Sequence, residues 1–185
     1  MRTASATLFA AATLVLAAGS VRAQAPSSIT KDMLADVAQV ERKIVGLARA
    51  IPEERYSWTP GEGVRTVREV LLHVASDNWL IPATMGFTPD PATGIRGDDY
   101  KTAGVFEKRD LGKDAVVAEL ERSFAHIRKS LGETSDANLA KPVSLFGQSF
   151  TTQRAWLLAV THLHEHLGQL IAYARSNDVV PPWSR

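Results

Sequence analysis

The stretch Thr161–Arg175, THLHEHLGQLIAYAR, holds three of the five histidines of this 185-residue chain and continues as an apolar run. At about 100° of rotation per residue, His162 and His166 lie one turn apart on one face of a helix. Gln169 continues that face, whereas His164 points away from it. The stretch therefore predicts a long helix that carries two imidazoles towards the core of the fold and one away from it.

Three further helices are predicted from apolar positions that recur at three- and four-residue spacing. The four predicted helices are Ile29–Ile51, Thr66–Met85, Asp114–Leu131 and Thr152–Ser176. Residues 86–113, which are rich in glycine and proline, are predicted as an ordered loop or flap, and residues 139–150 as a short β-like turn. Four long helices with little strand signal indicate an all-α protein built as a four-helix bundle.

The N-terminal residues 1–25 are typical of a secretory signal peptide. Arg2 precedes an apolar run, and small residues around Ala23 and Ala25 suit cleavage by a signal peptidase. The run is too short to span a membrane, which takes about 20 apolar residues. We therefore expect a periplasmic or secreted protein without a stable membrane anchor, whose single domain covers residues 29–185.

The composition excludes several classes of function. The chain has no cysteine, which excludes disulfides and thiolate chemistry by the protein itself. Its formal net charge is +1, and −1 without Arg2 and Arg22, so the mixed, near-neutral charge argues against nucleic-acid binding. The sequence also lacks a G-x-S-x-G nucleophile elbow and a glycine-rich phosphate loop.

The remaining histidines decide whether the inward pair could belong to a metal site, because such a site needs a third protein ligand. His126 lies among charged residues of the third predicted helix and is interpreted as a surface histidine. His73 lies at the edge of the apolar stripe of the second predicted helix, near Asp77. Spacing alone leaves two interpretations of His73 open, a hydrogen-bonded core histidine and a metal ligand.

The segment His162–His166 also matches H-x-x-E-H, the pattern of inverzincin peptidases, in which the glutamate is the general base. Such peptidases need a further glutamate ligand downstream, but no glutamate follows Glu165. This peptidase interpretation is therefore the least favoured.

Three segments together resemble a known family: TVREVLLHVASDNWL (66–80), HLHEHLGQLIAYAR (162–175) and VVPPWS (179–184). They resemble the DinB-like (YfiT-type) superfamily of four-helix metalloenzymes over about Ile29–Trp183, nearly the whole mature chain. The resemblance implies an up-down-down-up bundle in which His73, His162 and His166 bind one divalent metal ion.

The resemblance also implies a type of chemistry. Three neutral imidazoles leave a divalent ion with open positions for water or substrate, so a metal-dependent transferase or hydrolase is expected. The substrate would be a small molecule, thiols included, and zinc, nickel and iron all suit imidazole ligands. Asp77 and Gln169 are the predicted partners that orient a ligand imidazole, while Tyr173 and Trp79 are candidates to line the pocket.

Two departures from the family bear on the thiol chemistry. Leu167 stands where relatives often carry an arginine, and an exported protein meets less reduced thiol than a cytoplasmic one. The alternative function is a non-catalytic bundle whose histidines hold a metal or small molecule, because no general base or nucleophile is evident beside them. A homodimer formed through exposed apolar helix faces is also expected.

Overall fold

A computed structural model describes residues 28–184, and this range contains five α-helices and one β-hairpin. The helices are α1 (Ile29–Ala50), α2 (Val67–Thr84), α3 (Lys101–Glu107), α4 (Lys113–Glu133) and α5 (Thr152–Ser176). The antiparallel strands are β1 (Pro142–Leu145) and β2 (Gln148–Thr151). The predicted signal peptide lies outside the described residues. Within those residues, no helix has the length and apolar character needed to cross a membrane.

The four long helices begin and end within a few residues of the predicted bounds. The predicted capping box opens α2: the Thr66 hydroxyl accepts from the Glu69 amide, and the Glu69 carboxylate accepts from the Thr66 amide. The fourth predicted helix, now α5, is capped by Thr151, whose hydroxyl accepts from the Arg154 amide. Residues 139–150 contribute to the hairpin, in which Phe146 and Gly147 both have positive φ angles of 53° and 73°, as a type I′ turn requires.

Helix α3 lies in the segment that was predicted as a loop, residues 86–113. It has only seven residues and contains Gly104 in its middle. A helix of fewer than two turns shows no repeated apolar period, and an internal glycine disfavours helix, which explains why the pattern did not reveal it.

The four long helices pack in a closed ring in the order α1, α4, α2, α5, with α5 returning to α1. Arg49, at the end of α1, pairs with Glu121 of α4. Glu41, two turns earlier in α1, pairs with Arg128, two turns later in α4, so these helices are antiparallel. The ring identifies the architecture as a helical bundle.

Helices α2 and α5 are antiparallel as well. Tyr173, near the end of α5, bonds to the backbone of Arg65, just before α2 begins. At the opposite end, Phe87 follows α2 and packs near Trp156, in the first turns of α5. Residues of α1 between positions 29 and 39 line a surface groove together with Leu157 and Val160 of α5. Asp36, towards the end of this part of α1, contacts His164, which lies further along α5. The order of these contacts makes α1 and α5 parallel, which gives the up-down-down-up arrangement.

The connection between the parallel helices α2 and α4 is long and crosses the bundle with α3 packed on α2. Gly97 holds this connection close to the end of α2. A Cβ atom at position 97 would lie 2.5 Å from the carbonyl oxygen of Ala83, so any other residue would push the two segments apart. The close approach fixes the path of the connection before α3.

Candidate metal centre

The structure brings His73, His162 and His166 together inside the bundle, between α2 and α5. The Nε2 atom of His162 lies 3.1 Å from that of His73 and 2.9 Å from that of His166. One ligand atom from each ring lies within 4.8 Å of the other two, and the rings meet edge to face. Three imidazoles from two distant segments of the chain therefore converge through their Nε2 atoms.

A charged residue of α3, Glu107, contacts His73 at Nδ1, the ring nitrogen that faces away from the other two imidazoles. The Glu107 carboxylate accepts a hydrogen bond from Nδ1 of His73 at 2.7 Å, and its second oxygen accepts from Nε of Arg65 at 3.1 Å. A carboxylate only accepts, so the proton of a neutral His73 is assigned to Nδ1 and the Nε2 lone pair faces the other imidazoles. Burial raises the pKa of Glu107, but the hydrogen bond from His73 and the charges of His73 and Arg65 outweigh it and leave the pKa below its usual value.

A neutral partner on the same helix holds His166. Nδ1 of His166 donates to the side-chain oxygen of Gln169 at 2.8 Å. The Gln169 amide nitrogen donates to the Tyr173 hydroxyl at 3.0 Å, and that hydroxyl donates to the Arg65 carbonyl at 3.0 Å. With its proton on Nδ1, His166 also turns an Nε2 lone pair towards the centre. Both chains of hydrogen bonds end on Arg65, one on its side chain and one on its backbone.

His162 has no such partner. Among residues 28–184, no group hydrogen-bonds to its Nδ1 atom, and 21% of its side chain is exposed. Burial, followed by the charges of His166, His73 and Arg65, lowers the pKa of His162 to about 3. Burial also lowers the pKa of His166, although the Gln169 hydrogen bond opposes it. Both rings are thus neutral near pH 7, the state in which imidazole binds a metal ion.

The donor set fits a divalent cation. The Nε2 lone pairs of His73 and His166 both face the centre. A neutral His162 has only one ring proton, so it can donate a hydrogen bond to at most one of these two lone pairs. Zinc binds imidazole nitrogen at about 2.0–2.1 Å, which corresponds to nitrogen–nitrogen separations of roughly 3.3 Å around a tetrahedral ion. The observed separations of 3.1 and 2.9 Å are close to that value. The triad could therefore hold one divalent ion.

Asp77 lies one turn after His73 on α2 and is buried. Its Oδ2 atom lies 3.3 Å from Nε2 of His162 and 3.7 Å from Nε2 of His73. Asp77 was predicted to orient a ligand imidazole, which calls for a hydrogen bond at the Nδ1 atom of that ring. The structure instead places Asp77 beside the Nε2 atoms of His162 and His73. Burial raises the pKa of Asp77 to about 6, with Glu107 adding to the effect and the His73 and Arg65 charges opposing it.

Glu107 is the site residue that sequence analysis missed. It lies 34 positions from His73, on the short helix inside a segment predicted to be a loop. No local spacing relates the two residues, so the contact depends on the path of the connection. Gln169, by contrast, contacts His166 as its position three residues later on one helix predicted.

The other histidines lie outside the triad. His164 contacts Asp36 of α1 at 3.0 Å on the outer face of α5, which agrees with its predicted orientation. His126 was interpreted as a surface residue, but it is half-buried because α4 packs on α2 and its ring stacks at 4.6 Å on Trp79. Trp79, a candidate pocket residue, is thus engaged with α4. Glu165, the general base of the peptidase interpretation, is exposed.

Comparisons with known structures agree with this architecture. The DinB-like protein from Bacillus cereus ATCC 10987 has a TM-score of 0.66 and 15% identity, over 81% of this chain and 93% of that one. YfiT from Bacillus subtilis, described as a probable metal-dependent hydrolase with an unusual four-helix bundle topology, has a TM-score of 0.64 and 17% identity, over 86% and 93%. At these identities the likeness establishes the fold.

A third similar structure is a mycothiol-dependent maleylpyruvate isomerase, with a TM-score of 0.61 and 14% identity. The match covers 77% of this chain and 61% of that longer protein. A comparison with curated proteins gave no match. The sequence model of the DinB superfamily matches residues 37–170, which is more than half of the chain. The protein therefore belongs to the DinB superfamily.

Proposed function

We propose that this protein binds one divalent metal ion through His73, His162 and His166 and uses it for hydrolysis or group transfer on a small molecule. The observation that carries the proposal is the convergence of three Nε2 atoms, two of them with lone pairs directed inward by Glu107 and Gln169. A buried group of acceptors that face one another is costly unless a cation lies between them. The structural similarity to YfiT, which is described as a probable metal-dependent hydrolase, supports the same proposal.

The residues around the triad would have different roles in such a site. A bound divalent ion would lower the pKa of a water or thiol, or polarise an oxygen of the substrate. Glu107 and Gln169 fix the orientation of two ligand rings, and hydrogen bonds of this kind raise the basicity of the ligand nitrogen. The partly exposed ring of His162 marks the side on which the triad is closest to solvent.

Two observations support small thiols as one class of substrate or cosubstrate. With no cysteine in the chain, any thiol in the reaction comes from a cosubstrate. The similar maleylpyruvate isomerase is mycothiol-dependent, which supports small thiols among the substrates to be tested. Zinc, nickel and iron are the metals that the imidazole set favours.

We also infer export to the periplasm or beyond, from the signal-peptide pattern of residues 1–25. Fractionation of the native cells, with N-terminal sequencing of the recovered protein, tests this: cleavage after Ala23 or Ala25 is the expected result. Homodimer formation is a separate proposal, tested by light scattering on the mature chain.

The second candidate function is a metal-binding bundle without turnover. The burial of the centre favours it, since His166 is only 7% exposed and no serine, threonine or lysine side chain of the described residues hydrogen-bonds to the three imidazole rings. In that case the ion would brace α2 against α5.

Metal analysis with a matched pair of histidine variants tests the proposal. His166→Ala removes a triad ring, and His164→Ala removes a ring two positions earlier on the same helix that contacts Asp36 instead. We expect about one ion per chain in the wild type and in His164→Ala, and almost none in His166→Ala with its helical circular dichroism retained. Equal loading of all three proteins would contradict the site. Turnover of ester and thiol substrates that is lost in His166→Ala separates the enzyme from the non-catalytic bundle.

A further inference from the structure

A buried carboxylate faces the triad from the side on which the ring nitrogens converge. We propose that Asp77 is a fourth protein ligand, which makes the resting site His₃Asp. This inference rests on the proposed metal binding and deepens it by defining how the site is closed.

The distances place Asp77 among the ligand atoms. Its Oδ2 lies 3.3 Å from Nε2 of His162 and 3.7 Å from Nε2 of His73. Bonds of about 2.0–2.2 Å from one tetrahedral ion to nitrogen and carboxylate oxygen put neighbouring ligand atoms roughly 3.3 Å apart. The carboxylate therefore already lies near the spacing of a shared ion from two of the three rings.

Asp77 makes no direct ionic contact or hydrogen bond outside the triad among the described residues. Only 10% of its side chain is exposed, and across residues 28–184 its ionic contacts are with His73 and His162 alone. The same residues give its side chain no hydrogen bond. Because Nδ1 of His73 carries the proton and donates it in a hydrogen bond to Glu107, Nε2 of His73, which faces Asp77, carries a lone pair. A carboxylate buried against such a lone pair is stabilised by a cation that binds both.

The charge balance of the site also favours Asp77 as a ligand. Three neutral imidazoles leave a divalent ion with its full charge in a buried position, and the negative charge of Glu107 is shared with Arg65. Asp77 brings one negative charge directly to the centre. Closed four-coordinate sets are typical of structural ions, whereas catalytic sites keep a position open. A small molecule that binds the ion in this protein would therefore compete with the Asp77 carboxylate for its position.

Two titrations on the mature chain test the inference. Zinc affinity is measured by competition with a chromophoric chelator, and access to the ion by adding azide to the cobalt-substituted protein and recording its visible spectrum. The variants are Asp77→Ala and the isosteric Asp77→Asn, which serves if the alanine variant does not fold. Asp36→Asn and Asp36→Ala are the matched controls, because Asp36 also contacts a histidine of α5, outside the triad.

We expect the Asp77 variants to bind zinc at least about 10-fold more weakly, since even outer partners of ligands cost 10–100-fold. We expect azide to bind the cobalt form of Asp77→Ala at least about 10-fold more tightly than the wild type, because its position is vacated. Asp36 variants should match the wild type in both titrations.

Zinc affinities of both Asp77 variants within about twofold of the wild type, with binding abolished in His166→Ala, would overturn the inference and leave the proposed function standing. Unchanged azide binding would also count against a vacated position. A wild type that binds no zinc or cobalt would instead refute the proposed metal binding itself.

Discussion

Two rings of the triad are held by different means. His166 depends on Gln169 and Tyr173, which lie on its own helix, and the support is neutral throughout. His73 depends on Glu107, which comes from another helix, and the support carries charge. A local support forms whenever α5 forms, whereas the distant one also requires the connection before α4 to be in place. The comparison indicates that the His73 side is the stronger but more conditional half of the site.

Glu107→Gln tests the charged support and should have the largest effect. The amide keeps the shape but removes the negative charge that strengthens the hydrogen bond from His73. We expect zinc affinity to fall by about 10–100-fold, measured by chelator competition. Asp110→Asn is the control. Asp110 lies three residues after Glu107 and also forms an ion pair with a residue at the start of α2, Arg68, but within residues 28–184 it contacts no histidine. Equal affinities for the two variants would contradict a special role for Glu107.

Gln169→Ala tests the neutral support, and a loss of about 10-fold in zinc affinity is expected, at the lower end of the range for such partners. Gln169→Glu makes the acceptor of the His166 hydrogen bond anionic, as Glu107 is for His73. That variant should bind zinc at least as tightly as the wild type. Weaker binding by Gln169→Glu than by Gln169→Ala would show that charge does not distinguish the two supports.

His162, which lacks either support, makes the metal-free protein sensitive to acid. Its pKa is lowered to about 3 in the folded protein from 6.5, so below pH 6.5 the unfolded chain takes up a proton that the folded one refuses. Stability is therefore full above pH 6.5 and lost as pH falls, by up to about 1.4 kcal/mol per unit for one histidine. His166 adds to this loss. Asp77, whose pKa is raised from 3.8 to about 6, contributes the opposite slope, which begins above pH 6 and extends down to about pH 3.8.

Thermal melts in chelator from pH 7.5 to 6 measure this effect in a range where the opposing contribution of Asp77 is still smaller than that of the histidines. We expect the melting temperature to fall over this interval, and His162→Gln to show a smaller fall. The same slope in both proteins would mean that His162 is not the residue responsible.

Tyr173→Phe should give the smallest change. It removes the hydroxyl that donates to the Arg65 carbonyl and accepts from Gln169, at the outer end of the neutral support. Each of these two hydrogen bonds contributes about 1 kcal/mol, so we expect a loss of about 1–2 kcal/mol in unfolding free energy by urea titration. Zinc affinity should change by less than in Gln169→Ala. A larger effect on zinc than on stability would place Tyr173 closer to the ion than its contacts indicate.

The same contrast explains what the sequence could predict. Helical periodicity placed His162, His166 and Gln169 on one face, and a capping box placed the start of α2, because these relations lie within one helix. Glu107 could not be predicted, since its contact with His73 depends on the tight passage of Gly97 past α2 and on a helix too short to show a period.

Asp77 and His126 show a second limit. Spacing on α2 put Asp77 one turn from His73, but the nitrogen that it faces depends on how α2 is rotated against α5. The burial of His126 likewise depends on its stacking against Trp79 across the interface of α2 and α4. Such rotations between helices are set by packing of the whole bundle and leave no signature in either helix alone.

The parallel course of α2 and α4 has a consequence for how this architecture acquires function. Two neighbouring helices that run in the same direction cannot be joined by a tight turn, so the chain must travel back along the bundle between them. In this protein the connection between α2 and α4 contains α3, which places Glu107 beside His73. A bundle with alternating helix directions would have no such return segment, and the acid would need another source.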